Sequence, residues 1–164
     1  MLAALSHPNL PGVYDYFFDR GHPYLIMQYI EGATLDRLKE GRSAPFEVDQ
    51  VVRWANDLLD ALIYLHSQKP PIIHRDIKPS NVCITPEGKA VLLDFGIARQ
   101  LDETSTRPGA QARSIHYAPI EQYPAEAMGS RGALQQYLEE LKAADIHTGP
   151  YSDVYSLGAT LYFA

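Results

Sequence analysis

The sequence predicts an α+β fold in which antiparallel strand pairs bracket one long helix, and three observations carry that prediction. Two runs rich in aromatic and β-branched residues, at 12–18 and 24–30, stand either side of a short polar break. Between residues 48 and 65, apolar side chains recur at three- and four-residue steps, the helical period. Two further short apolar runs, at 82–85 and 90–94, flank Pro86-Glu87-Gly88-Lys89, whose composition is that of a turn.

In chain order, 12–18 and 24–30 are read as strands and 19–23, with Asp19, Gly21 and Pro23, as the turn that makes them a hairpin. Gly32 breaks the second run. Thr34 is a good N-cap residue, 35–40 a short helix and Gly41 its stop. The long helix is expected from Pro45 to about Ser67, with Val48, Val51, Val52, Ala55, Leu58, Leu59, Leu62 and Leu65 as its core stripe and Trp54 at the edge. Segments 82–85 and 90–94 form a second hairpin. Farther on, 132–144 has helix-favouring composition, with Leu134, Leu138 and Leu141 on one face, and 147–150 closes it; His147 is read as a loop histidine.

Composition narrows the class without naming the chemistry. The 164 residues are 46% apolar and 21% charged, which suits a soluble globular domain. A net charge of -6 disfavours nucleic acid and anionic membrane surfaces as partners. Cys83 is the single cysteine, so no internal disulfide can form. No apolar run approaches the ~20 residues of a membrane helix, and the apolar 1–5 stretch lacks a basic leader and is cut short by His7-Pro8-Asn9. A cytoplasmic location is the expectation, with membrane tethering through segments outside these residues left open.

The chemistry lies in His74-Arg75-Asp76-Ile77-Lys78-Pro79-Ser80-Asn81, followed by Asp94-Phe95-Gly96. Phosphoryl transfer needs metal ions and a positive group to balance charge spread over the moving phosphoryl, and a carboxylate to orient the attacking hydroxyl. Asp76 offers that carboxylate and Lys78 the point charge. Asn81 and Asp94 offer the oxygen ligands that a hard Mg²⁺ ion takes.

These residues resemble the catalytic loop H-R-D-x-x-x-x-N and the D-F-G motif of protein kinases. Tyr117-Ala118-Pro119-Ile120-Glu121 is similar to the family's A-P-E in the Y-A-P-P-E-Q form of bacterial Ser/Thr kinases. The resemblance runs from His7 to Ala164 and implies a partial protein-kinase-like fold of the eukaryotic-like Ser/Thr type. Residues 1–30 would be an N-lobe remnant, comprising the end of αC, the family's fourth and fifth strands and the hinge. Residues 31–164 would be an incomplete C-lobe of αD, αE, catalytic loop, activation segment, a helical insertion at about 122–150, and the start of αF.

What the resemblance implies for function is ATP- and Mg²⁺-dependent transfer, with Mn²⁺ as an alternative metal, to a Ser or Thr hydroxyl of a protein substrate. Asp76, Lys78, Asn81 and Asp94 would be catalytic, the last two as metal ligands. Met27 would be the gatekeeper, the Gln28 and Ile30 backbones would meet adenine, Thr34 would lie near the ribose and Cys83 would floor the pocket. His74, Arg75, Phe95, Glu121 and Asp153 would be structural supports. Ser114 would link peptide docking to Asp76 and Lys78, although Arg113 stands where the family has Gly. Thr104, Ser105 and Thr106 would be phosphate acceptors whose charge pairs with Arg75.

The family's glycine-rich loop, lysine and αC glutamate have no counterpart here, and the apolar end at 159–164 carries no cap, so the chain reads as a fragment truncated at both ends. On that reading it is expected to be inactive alone and marginally stable, with Leu157, Leu161, Tyr162 and Phe163 uncovered and Glu121 without its usual arginine. The insertion is read as a surface ornament, or as a contact for substrate or partner. Two other functions stay open: a non-catalytic kinase-like binding module, marked by loss of Asp76, Asn81 or Asp94, and a small-molecule phosphotransferase, which would lack Lys78 and the 117–121 segment.

Overall fold

The structure, a computed structural model, describes residues 5–94, 116–122 and 148–164. Phe95, Thr104, Ser105, Thr106, Ser114, the 132–144 segment and His147 lie outside the described residues.

Strands β1 (Val13–Asp19) and β2 (His22–Met27) pair antiparallel from Val13 opposite Met27 to Asp19 opposite His22. Arg20 and Gly21 alone make the turn, with φ of 47° and 78°. Positive φ at both central residues matches the twist of the flanking strands, so the hairpin closes more tightly than a 19–23 turn. The second strand stops at Met27 rather than Ile30. Gln28 clamps Gly12 twice, its N–H donating to the Gly12 carbonyl at 2.7 Å and its Oε1 accepting the Gly12 N–H at 3.3 Å. The chain then leaves the sheet.

It arrives at a second sheet, of β3 (Ala33–Thr34), β4 (Val82–Ile84) and β5 (Ala90–Leu92), all antiparallel. The strand at 33–34 was not expected, because two residues carry no period; only the partner at Cys83 and Ile84 makes them one. Gly32 is required at this crossing. Its φ is +147°, and a Cβ there would lie 2.2 Å from the Ile84 carbonyl oxygen. Thr34 takes the N-cap position of α1 (Leu35–Lys39) as expected, without a side-chain capping bond, and Gly41 follows with φ +77°.

Helix α2 (Val48–His66) begins at the first residue of the apolar period, three residues later than the expected start at Pro45. Phe46 is drawn away instead, its N–H donating to the Ala164 carbonyl at 3.2 Å and its ring meeting Trp54 edge-on at 5.1 Å. The buried face is Trp54, Leu58, Ala61, Leu62 and Leu65, a single helical stripe. Trp54, placed at the edge by sequence, is at the centre with 1% exposure, and Val48 is 75% exposed, as Val52 and Leu59 are also exposed. The expected stripe mixed two faces of the helix, and packing selected one. Trp54 satisfies its buried ring N–H on the Gly88 carbonyl at 3.1 Å, which ties the helix to the β4–β5 turn.

Helix α3 (Pro150–Phe163) starts with Pro at its first position and Gly149 as N-cap. It turns Ser152, Asp153, Ser156, Leu157 and Thr160 inward, mostly small or polar groups. Leu157, expected to be uncovered, is 3% exposed and joins the core shared with α2, whereas Tyr162 is 95% exposed. The Ala164 carbonyl accepts from Lys39 Nζ at 3.1 Å as well as from Phe46. Among the described residues no helix is long and apolar enough to cross a membrane.

Gly32→Ala should lower unfolding free energy by about 2 kcal/mol or more, because positive φ and a backbone collision act together. Gly88→Ala, at φ +82° with open space around it, should cost only about 1 kcal/mol. Urea denaturation of both variants checks the ranking; equal costs would mean the crossing has room to move.

Candidate active site

A carboxylate with no exposed surface organises the site. Asp153, in the first turn of α3, is 0% exposed. Its Oδ1 accepts the Arg75 N–H, and its Oδ2 accepts the His74 N–H and His66 Nε2, all at 2.8 Å. Because a carboxylate only accepts, His66 Nε2 must carry the proton. Arg75 has φ 67°, a left-handed conformation that costs a non-glycine residue about 1 kcal/mol or more. That turn brings two consecutive N–H groups onto one carboxylate, and charge-assisted bonds to it offset the strain.

His74 carries the constraint onward. Its ring is fully buried and sits between Leu93 and Asp76: Nε2 lies 3.0 Å from the Leu93 carbonyl, and the Asp76 N–H lies 3.3 Å from Nδ1. Only one tautomer serves both partners, with the proton on Nε2 and the lone pair on Nδ1. Burial lowers the pKa of His74, outweighing the opposing pull of Asp153, the Leu93 carbonyl, Asp76 and Asp94. The neutral ring that this tautomer needs is therefore the favoured one.

The 74–81 segment ends in a 3-10 turn, Pro79–Asn81, that runs straight into β4. Within it Asp76, Lys78 and Asn81 converge. Lys78 Nζ lies 2.7 Å from Asp76 Oδ2, and Asn81 Nδ2 donates to the same oxygen at 3.1 Å and to the Asp76 carbonyl at 2.8 Å. Both donors use Oδ2, and among the described residues none donates to Oδ1. The Asn81 amide, having turned its nitrogen to Asp76, has its carbonyl oxygen on the opposite side. Asp94 is set by the strand next door: Leu93 N–H donates to the Asn81 carbonyl at 2.8 Å, and the Leu93 carbonyl meets His74. Asp94 itself is exposed, with φ 52°, a region that Asp tolerates better than most residues.

The donor set fits a hard divalent ion. One carboxylate and one amide oxygen at adjoining strand ends match the one or two protein ligands that Mg²⁺ takes when phosphate and water complete its shell. Among the described residues no group of three or more His, Cys, Asp or Glu could hold a metal by itself, so a closed all-protein cage is absent there.

The residues expected around the nucleotide form one continuous strip. Met27 closes β2 opposite Val13, Gln28 is held to Gly12, Ile30 lies half-buried in the crossing, and Thr34 pairs with Cys83 across β3 and β4. No hydrogen bond among the described residues joins Met27, Gln28 or Ile30 to the Asp76 cluster. Burial pushes the Cys83 thiol up, so it behaves as a small apolar side chain rather than a nucleophile.

Glu121, expected to be without the family's arginine, takes a hydroxyl as partner. The Ser152 hydroxyl donates to its Oε1 at 2.6 Å. His66 and Ser152 are both absent from the sequence-derived site. His66 offered one weak signal, a histidine closing the long helix shortly before His74; Ser152, one of many serines, offered none.

The family model for the protein kinase domain matches residues 1–164. A probable serine/threonine-protein kinase PknB of Lactococcus lactis is 33% identical over 162 residues, covering 98% of this chain and 22% of its own length. A serine/threonine-protein kinase PknB of Mycobacterium leprae is 33% identical over 166 residues, 98% of this chain and 23% of its own. The chain thus spans under a quarter of the length of these relatives. The solved structure of the PpkA-294 apo form matches with a TM-score of 0.63 and 30% identity, covering 98% of this chain and 49% of that one.

Asp153→Ala strands the His74 and Arg75 N–H groups and His66 Nε2 together and should cost about 3–5 kcal/mol. Thermal unfolding checks the value. A second expectation concerns acid. Because the folded state holds the His74 pKa below 6.5, the unfolded chain binds that proton first, so stability falls as pH drops through about 6.5. One such proton contributes a slope of up to about 1.4 kcal/mol per pH unit. His74→Phe should flatten this acid limb in a pH series of urea melts, and an unchanged slope would place the titrating group elsewhere.

Proposed function

The chain belongs to the protein kinase family, and from that premise we propose that it is the catalytic part of a Ser/Thr protein kinase, transferring the γ-phosphoryl group of ATP to a protein hydroxyl. Its relatives carry the name serine/threonine-protein kinase. The single observation that carries the reading is the convergence of Lys78 and Asn81 on one oxygen of Asp76, with Asp94 held beside them through Leu93. That is a base, a cation and two oxygen ligands in one place.

In this reading Asp76 Oδ1 faces the substrate hydroxyl, orients its lone pair toward the γ-phosphorus and takes its proton. The new O–P bond forms as the bond to the β-phosphate oxygen breaks, and ADP leaves. Lys78, anchored on Oδ2, is placed to balance charge on the equatorial oxygens of the transferred group. Asn81 and Asp94 would hold Mg²⁺, which neutralises the phosphate oxygens. Asn81 has a second task, since its Nδ2 keeps Oδ2 engaged and so presents Oδ1. Met27, Gln28, Ile30, Thr34 and Cys83 would line the nucleotide's base and ribose. A lysine two residues past the base favours Ser or Thr over Tyr as acceptor. Ser114 near the peptide, and Thr104, Ser105 and Thr106 as phosphate acceptors paired with Arg75, belong to the same proposal.

The test uses the full-length gene product, Mg²⁺, radiolabelled ATP and casein as a Ser/Thr acceptor. Asp76→Ala and Asp94→Asn should each lower transfer by about 10²-fold or more. Asp94→Asn should also raise the Mg²⁺ concentration needed for half-maximal rate. Wild-type rates in either variant would remove the role assignment.

A further inference from the structure

Adjacent residues at the start of α3 face two different parts of the site. Asp153 grips the catalytic loop through His74 and Arg75. Ser152, also with no exposed surface, donates its hydroxyl hydrogen to Glu121 Oε1 at 2.6 Å and accepts the Gly149 N–H at 3.1 Å. The first contact is a charge-assisted bond from a buried donor, short enough to fix the acceptor's position. The second is one half of a capping box, so the hydroxyl is oriented by the helix that carries it. Glu121 sits in the 3-10 turn Ile120–Gln122, whose Gln122 N–H returns to the Pro119 carbonyl at 3.0 Å.

We propose that Ser152 is a positioning residue that couples the 117–122 segment to the catalytic loop. Its hydroxyl holds Glu121 and its neighbour's carboxylate holds His74 and Arg75, so a shift of Glu121 moves the first turn of α3 and with it the Asp153 carboxylate. In a helical turn the two residues share one rigid backbone, and neither side chain has free space in which to compensate. Its catalytic meaning rests on the phosphoryl-transfer reading: the segment beside the acceptor would be held in register with Asp76. The coupling itself does not need that reading.

Residue-resolved amide hydrogen exchange on the full-length gene product tests it without nucleotide. In Ser152→Ala, exchange should quicken about tenfold at Gln122 and also at His74 and Arg75, the loss expected for a bond to a charged group, while amides in the middle of α2 keep their protection. Glu121→Gln, which preserves shape, should quicken the same amides by a smaller factor. The double variant should be no faster than Ser152→Ala alone, since both remove one contact. Should Ser152→Ala not fold, Glu121→Gln read at His74 and Arg75 decides the question. Quickening confined to Gln122, uniform quickening that includes α2, or additive effects in the double variant would each overturn the coupling. Absence of phosphoryl transfer by the wild-type full-length product would instead overturn the function proposed above and leave the exchange result standing.

Discussion

The geometry around Asp76 depends on how the buried Asp153 carboxylate is satisfied, since among the described residues no arginine or lysine side chain pairs with it. Three N–H donors, from the His74 and Arg75 backbones and the His66 ring, satisfy it at 2.8 Å each. An ionised group in so dry a place is tolerated only when its lone pairs are nearly all used. The chain meets that demand by holding Arg75 at positive φ, so the strain and the buried charge stabilise each other. Either alone would be a liability.

From that point the geometry propagates by hydrogen bonds in series. Asp153 sets the backbone of His74; the His74 ring then links the Asp76 N–H to the Leu93 carbonyl; Leu93 N–H binds the Asn81 carbonyl. Two segments far apart in sequence are locked together through one neutral imidazole. The polarity of the chain of bonds depends on that ring having a single proton, which explains why its complete burial is compatible with its place between carboxylates. The side chains at the end of the series, Asp76, Lys78 and Asp94, remain partly or fully accessible, as the proposed role requires.

The supports of the site and the hydrophobic core are the same elements. Helix α2 buries Trp54, Leu58, Ala61, Leu62 and Leu65 and then, in its last turn, offers His66 to Asp153. Helix α3 contributes Leu157 to the core and Asp153 and Ser152 to the site from one inward face. Burying such apolar side chains at roughly 1.5–3 kcal/mol each fixes the two helices against one another, and polar groups can then be placed to within tenths of an ångström.

The family and the main elements are legible in the amino-acid order alone. The side-chain types at 74–81 and 94 point to the family because phosphoryl transfer restricts what can serve at such short spacing, and the hairpins and long helix announce themselves through period and turn composition. Tertiary structure decided what no local pattern encodes. It chose which face of α2 is buried, so Trp54 became central and Val48 exposed. It made a strand of Ala33 and Thr34 by supplying β4, and it ended β2 at Met27 through the clamp on Gly12. It also recruited His66 and gave Glu121 the hydroxyl of Ser152 as partner. The reason is common to all: each depends on a contact between residues distant in sequence, whose free energy exists only after the chain has folded and water has left the space between them.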